Sequence, residues 1–332
     1  MDILQSSFVF DGCIFAEGDF KGCARDVAES GLNAFFLTIP HSTEGFREAA
    51  RAIGGIHQMA DEPDSGLRVI RSPEDLQRAD EEQETGLVLW FQDPHPIENS
   101  LELLRVFYEL GVRAIQLTYN RANYLGSGCT ERIDRGLTAF GAKVVREMNR
   151  LGVVIDLSHS SRQTALDAMR ESTQPVLFSH ANPRAITDSP RNKDDDQLKL
   201  LAEVGGVIGL TPWGPLCWRG TGRPSLDDYI DHIEYVVDLI GIDHVGFGSD
   251  NTADHSSDAA GTEEQAALYP AVVAEYNRTV GTQPSARHAE GFSGPHNLDN
   301  LVDGLIGRGF GTADTAKLLG GNFLRVFKKV WM

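Results

Sequence analysis

Between Val153 and Arg191 the chain reads VVIDLSH, then SSRQTALDAMREST, then PVLFSH and ANPRAITDSPRN. The two apolar, β-branched runs are too short to be buried helices, and each ends in Ser-His. They predict two buried strands joined by an amphipathic helix whose serine-rich start suits capping. A strand, a helix and a second strand in this order normally make a parallel pair, since parallel neighbours need a crossover connection. Both strands then point the same way, and His159 and His180 arrive at one rim of a sheet.

The same alternation runs through the rest of the chain. Apolar strands are expected at 8–15, 32–39, 86–92, 114–120, 207–213 and 244–250, in addition to the histidine pair, nearly all separated by stretches of helical periodicity. About eight such strands predict an α/β fold, a (β/α)8 TIM barrel forming one domain over residues 1–332. A doubly wound open sheet is the alternative, but no glycine-rich phosphate fingerprint follows the first strand. From Asn251 to Asn297 the alternation breaks, with Gly, Ser, Pro and Asp around one helical piece. Following strand eight, this long insertion is expected to lie partly over the mouth as a lid.

Composition narrows the partners. With 30 Lys and Arg against 48 Asp and Glu, the formal charge of -18 opposes binding to nucleic acid and to anionic membrane surfaces. Cys13, Cys23, Cys129 and Cys217 are scattered without a CxxC pair, so neither a zinc ribbon nor a disulfide framework is indicated. No basic leader with an apolar core and no membrane-length apolar run is present, which reads as a soluble, cytoplasmic protein.

In a barrel, strand ends gather residues at one mouth: here Cys13 to Phe15, Gln92, Tyr119, His159, His180, Trp213 and Asp250. Two imidazoles on neighbouring strands with a carboxylate across the mouth suit a divalent cation, zinc first, with a position left for water. Taken singly, each histidine reads as a structural hydrogen bonder and Asp250 as the cap of a following helix. Arg191 reads either as a bidentate carboxylate clamp or as an exposed turn residue answered by Asp194 to Asp196. His95 and His255 fall in loops, and Trp213 and Trp218 read as pocket walls or as core.

The combination NRLGVVIDLSHSS, FSHANPRAITDSPRN, DHVGFGSD and GGNFLRVFKKVW resembles the renal or membrane dipeptidase family, the M19 metallopeptidases of the amidohydrolase superfamily. The resemblance runs from about Asp11 to the C-terminus. It implies a (β/α)8 barrel, commonly dimeric, with a two-zinc site that hydrolyses dipeptides, including some with a D-residue on the C-terminal side. Position by position, it implies that His159 and His180 hold the second metal, that Asp250 handles the proton of the attacking water, and that Arg191 grips the substrate carboxylate.

Other positions depart from the family. Where its first strand ends Asp-Gly-His-x-Asp, this chain has Asp11, Gly12, Cys13, Ile14 and Phe15, so both first-site ligands are replaced. Gln92 stands in place of the bridging glutamate, in QDPH, while His95 keeps that motif's histidine; Tyr119 replaces a substrate-polarising histidine. Two cations close together would repel with too few carboxylates between them. The expectation is therefore one divalent metal on His159 and His180, with Gln92, Asp250 or a thiolate of Cys13 as further donors. The function expected is hydrolysis of a dipeptide-like or other small amide with a free carboxylate. The competing readings are a metal-free barrel that binds a small carboxylate, and a non-hydrolytic metal-assisted enzyme with Tyr119 as an acid. Glu17 and Asp19 are the nearest carboxylates along the chain that could restore a first-site ligand.

Overall fold

The computed structural model describes residues 3–15, 27, 30–39, 44–252 and 270–331. Its centre is a parallel sheet: β1 Phe10–Phe15, β2 Ala34–Thr38, β4 Thr85–Phe91, β5 Ala114–Gln116, β6 Val154–Asp156, β7 Leu177–Phe178, β8 Val207–Leu210 and β9 Val245–Phe247, hydrogen-bonded in that order. After β9 the chain turns at Asp250, in the left-handed region at φ 53, and β10, Asn251–Thr252, pairs in parallel with β1. The sheet thereby closes into the (β/α)8 barrel that the alternation predicted.

Strands buried on both faces explain why they read as continuous apolar runs rather than alternating ones. Phe36, Val88 and Trp90 face inward, while Phe35, Leu37, Leu87, Leu89 and Phe91 pack outward against the helices. The bottom of the barrel is plugged by the C-terminal helix Asn322–Val330: the ring of Phe10 lies 5.0 Å from Phe323 and 4.8 Å from Phe327, and Phe327 stacks on Trp331 at 4.3 Å. The opposite end, where the strands finish, is left for polar side chains.

Besides β10, the structure adds one strand the sequence reading missed. β3, Leu67–Val69, pairs with Thr85–Leu87 on the side of β4 that β5 occupies further up. Three residues between Gly66 and a Ser-Pro helix start are too few for a periodicity to register. Several strands are also shorter than expected: AIQ alone is strand in 114–120, because Leu117 to Asn120 already turn at the rim.

The helix expected near CARDVAESG, Glu17, Asp19, Cys23, His255 and the first part of the expected lid lie outside the described residues. The later part of that insertion packs on the segment after β8. Trp213 bridges to His288, the Gly214 amide donates to the Arg287 carbonyl at 2.7 Å, and the Tyr276 hydroxyl donates to the Ala286 carbonyl at 2.6 Å. No helix among the described residues is long and apolar enough to cross a membrane.

Candidate active site

A repeated local device shapes the chain near the mouth. Asp11, Asp93 and Asp156 each accept the backbone N–H two residues on, from Cys13 at 3.0 Å, His95 at 2.9 Å and Ser158 at 3.0 Å. After β4 and β6 these side chain to backbone turns start the loop; in β1 the turn at Asp11 coincides with a shift in register before the strand resumes to Phe15. Burial costs such carboxylates their charge: it pushes Asp11 up to about 7 and Asp93 up to about 6.

The interior at this level is shaped by glycine. A Cβ on Gly12, Gly209 or Gly248 would lie 2.3, 2.1 or 2.1 Å from the Ser179 carbonyl oxygen. Three strands thus give up side chains so that the backbone at the end of β7 can lean into the barrel. That lean delivers His180, which is fully buried.

Each imidazole is fixed from behind. His159 Nδ1 lies 2.6 Å from Asn120 Oδ1, so the N–H is on Nδ1 and donates to that oxygen. His180 Nδ1 lies 2.8 Å from Ser179 Oγ, whose own proton is committed to Asp156 Oδ2 at 2.6 Å, so here too the ring donates through Nδ1. Asp156 also accepts from the Ser158 hydroxyl and from the Ser179 amide. Both Nε2 atoms therefore carry lone pairs, and they face each other 2.9 Å apart. Burial and the nearby Arg191 hold both rings well below the usual imidazole range, which keeps them neutral and able to ligate at neutral pH.

Around this pair the structure gathers most of the residues picked from sequence. The Gln92 amide nitrogen lies 3.2 Å from His180 Nε2 and 3.5 Å from His159 Nε2, and donates to both lone pairs as placed. Tyr119 stacks on His159 with centroids 4.3 Å apart, and burial pushes its hydroxyl well up. The donor atoms of Cys13, His180 and Asp250 all lie within 4.8 Å of one another, and Cys13 Sγ donates to Asp250 Oδ1 at 3.7 Å.

Arg191 is not an exposed turn residue. It is 2% exposed and donates to the Ser158 and His180 carbonyls, adding positive charge beneath the two histidines. Asp194 caps the helix Asp195–Glu203 instead of answering Arg191. His95 stands apart: it is exposed and paired with Asp93, away from the imidazoles. Trp213 is buried at the rim with Leu216 and Val273, and Trp218 packs edge-on against Tyr276.

Sequence reading missed several members. Asn120, Asp156 and Ser179 hold the histidines, and Lys193, 1% exposed, donates to the carbonyls of Leu157, Ser158 and Ser160 on either side of His159. Arg287 and His288 come from the insertion after β9. Arg287 lies over the Phe15 ring at 5.1 Å and donates to the Asp250 carbonyl at 3.0 Å, and His288 Nε2 lies 3.4 Å from the same oxygen. The position of Asp156 and Ser179 as polar residues closing apolar strands is the signal that could have found them; nothing local marks Arg287.

A barrel mouth with two neutral imidazoles aimed at one point has relatives. The sequence profile of the membrane dipeptidases, peptidase family M19, matches residues 25–284. The chain belongs to that family. A dipeptidase called tcpJ from Claviceps purpurea is 28% identical over 304 residues, 90% of this chain and 63% of its own length. An uncharacterized dipeptidase of Schizosaccharomyces pombe is 38% identical over 170 residues, 50% of this chain and 41% of its own. The chain thus spans less than two thirds of these curated relatives. A solved amidohydrolase from Pseudomonas aeruginosa superposes with a TM-score of 0.85 at 31% identity, covering 99% of this chain and 98% of the other.

A solved dipeptidase of family M19 with the same fold is described as a metallo peptidase. The residues here would fit a divalent cation. His180, the Cys13 thiol and the Asp250 carboxylate bring their donor atoms within 4.8 Å of one another, and His159 Nε2 lies 2.9 Å from His180 Nε2, a nitrogen, sulfur and oxygen set of the kind that suits zinc.

Proposed function

We propose that the protein is a metal-dependent hydrolase of the membrane dipeptidase type. It acts on a dipeptide-like or other small amide bearing a free carboxylate, and uses one divalent cation, zinc, rather than two. The observation carrying this reading is the pair of Nε2 lone pairs 2.9 Å apart, each ring anchored through Nδ1, with Asp250 and Cys13 beside His180. His159 and His180 would hold the cation, with Asp250, Cys13 or Gln92 as the further donors in reach. When bound, such an ion supplies Lewis acidity and makes a water nucleophilic at neutral pH.

The chain's own groups do the rest. Asp250 accepts the proton of the water that adds to the amide carbon and returns it to the nitrogen as the C–N bond breaks. Arg191 and Arg287 place positive charge below and beside the site, which favours a substrate carrying a carboxylate. Tyr119, stacked on His159, walls the substrate side. A single ion is supported by the ligand charges: Phe15 and Gln92 bring none, so a second cation would stand uncompensated among Arg191, Lys193 and Arg287.

The test is metal content of protein purified without chelators, together with turnover of a dipeptide panel that includes C-terminal D-residues. The expected result is one ion per chain and hydrolysis, both lost in His180→Ala with the fold retained. No ion bound and none taken up on addition would overturn the reading. A second reading, a metal-free barrel that binds a small carboxylate, is favoured by one specific contact: the Gln92 amide already satisfies both Nε2 atoms. Thermal stabilisation by dipeptides without metal and without turnover would select it.

A further inference from the structure

We infer that Cys13 binds the cation as a thiolate, making this a cysteine-containing metal centre in which Cys13, His180 and Asp250, with His159 beside them, share one ion. The inference rests on the single-cation reading above and adds the ligand that balances its charge. Cys13 is fully buried at the end of β1, with its sulfur facing the mouth at 3.7 Å from Asp250 Oδ1. Gly12 beside it lies against the Ser179 carbonyl, so the end of β1 and the residue before His180 are packed in direct contact. The donors on one tetrahedral zinc lie about 3 to 4 Å apart, given bonds of about 2.0 to 2.3 Å. The three donor atoms here, all within 4.8 Å of one another, need only small side-chain adjustments to meet that spacing.

Charge argues the same way. Around a divalent ion, the imidazoles and Gln92 are neutral and Phe15 is not a ligand. Among the clustered donors Asp250 alone is a carboxylate, and a Cys13 thiolate supplies the second anionic ligand that matches a divalent ion. On binding, the S–H bond of Cys13 breaks as the bond from sulfur to the ion forms, and the proton leaves through the Asp250 carboxylate to water. The soft sulfur also predicts which ions are preferred: zinc, cobalt and cadmium over magnesium or calcium.

The experiment is cobalt(II) titration of the chelator-stripped protein, followed by absorption. Visible ligand-field bands report that the ion is bound, and a near-ultraviolet charge-transfer band reports a cobalt–thiolate bond. The expected result is both sets of bands, with the near-ultraviolet band lost in Cys13→Ser and kept in Cys129→Ser, the other described thiol close to His159. Visible bands without the near-ultraviolet one in the native protein would overturn the thiolate and leave the single-cation reading standing. Absence of any cobalt bands would overturn both. A near-ultraviolet band that disappears in Cys129→Ser and persists in Cys13→Ser would assign the thiolate to the wrong residue and overturn the inference.

Discussion

The two sides of the barrel mouth are built on different principles. On the side formed by the ends of β5, β6 and β7, every functional atom is backed by another. Asn120 fixes His159, Asp156 through Ser179 fixes His180, and Arg191 and Lys193 tie down the carbonyls between them. On the side formed by the end of β1 and the chain after β9, the groups are a thiol and a carboxylate 3.7 Å apart, a phenyl ring and a guanidinium lying over that ring. The first wall has its tautomers and ring orientations set before any ligand arrives; the second supplies bulk and charge. Under the single-cation reading the fixed imidazoles come from the first wall and the anionic donors, Cys13 and Asp250, from the second, and the described residues offer another cation no further fixed pair.

If the first wall depends on how far β7 leans into the barrel, the largest effect should come from filling the space it uses. Gly209→Ala puts a methyl group 2.1 Å from the Ser179 carbonyl, where a backbone atom blocks it and no flexible side chain can yield. We expect destabilisation of about 1–3 kcal/mol or more, as for overpacked cores, and loss of metal uptake as His180 is pushed off its position. Chemical denaturation paired with metal titration checks both; native affinity in a destabilised variant would show that the lean is not what places the histidine.

A smaller effect should follow from cutting one support without moving the backbone. Ser179→Ala removes the hydroxyl between Asp156 and His180 Nδ1. Metal affinity is expected to fall about 10–100-fold, the usual cost of losing such a partner, while the fold is kept. Calorimetric titration with zinc decides it. An unchanged affinity would mean that packing alone orients the ring, and the contrast between the two walls would lose its basis on the β7 side.

How much of this was legible beforehand follows from the range of each interaction. The barrel was readable because each strand's apolar run and each helix's period are local, and β3 escaped because three residues carry no period. His159 and His180 stood out as polar residues closing apolar strands. Their supports did not, since Asn120 is 39 residues from His159 and nothing in LTYN marks its side chain as the acceptor. Arg191 looked like either a clamp or a surface turn because burial is a property of the closed barrel, not of SPRN. Gly12, Gly209 and Gly248 fall in or just after strands, where glycine goes with close backbone approach, but only the fold reveals that all three approach Ser179. Arg287 reaches the mouth from the insertion expected to lie over it, but no local pattern there singles out that residue.

A prediction read through pH alone concerns Lys193, which grips the loop carrying His159. Burial and the neighbouring Arg191 push its amine down to about 7 from an ordinary value of 10.5. Below pH 7 the folded and unfolded chains both carry the proton, and the folded one bears the whole cost of a buried ammonium. Between about 7 and 10.5 the folded chain has lost the proton and the unfolded chain has not, so the unfolded state binds more protons and the contribution of this group to stability rises with pH. The slope is at most about 1.4 kcal/mol per pH unit. Lys193→Met has no such group, so the stability of the native chain minus that of the variant should climb across that window, with other titrations cancelling in the difference. Urea denaturation of both proteins at several pH values measures it. A flat difference would show that the carbonyls of Leu157, Ser158 and Ser160 hold the ammonium firmly enough to offset its burial, making this clamp as permanent as the guanidinium of Arg191 beside it.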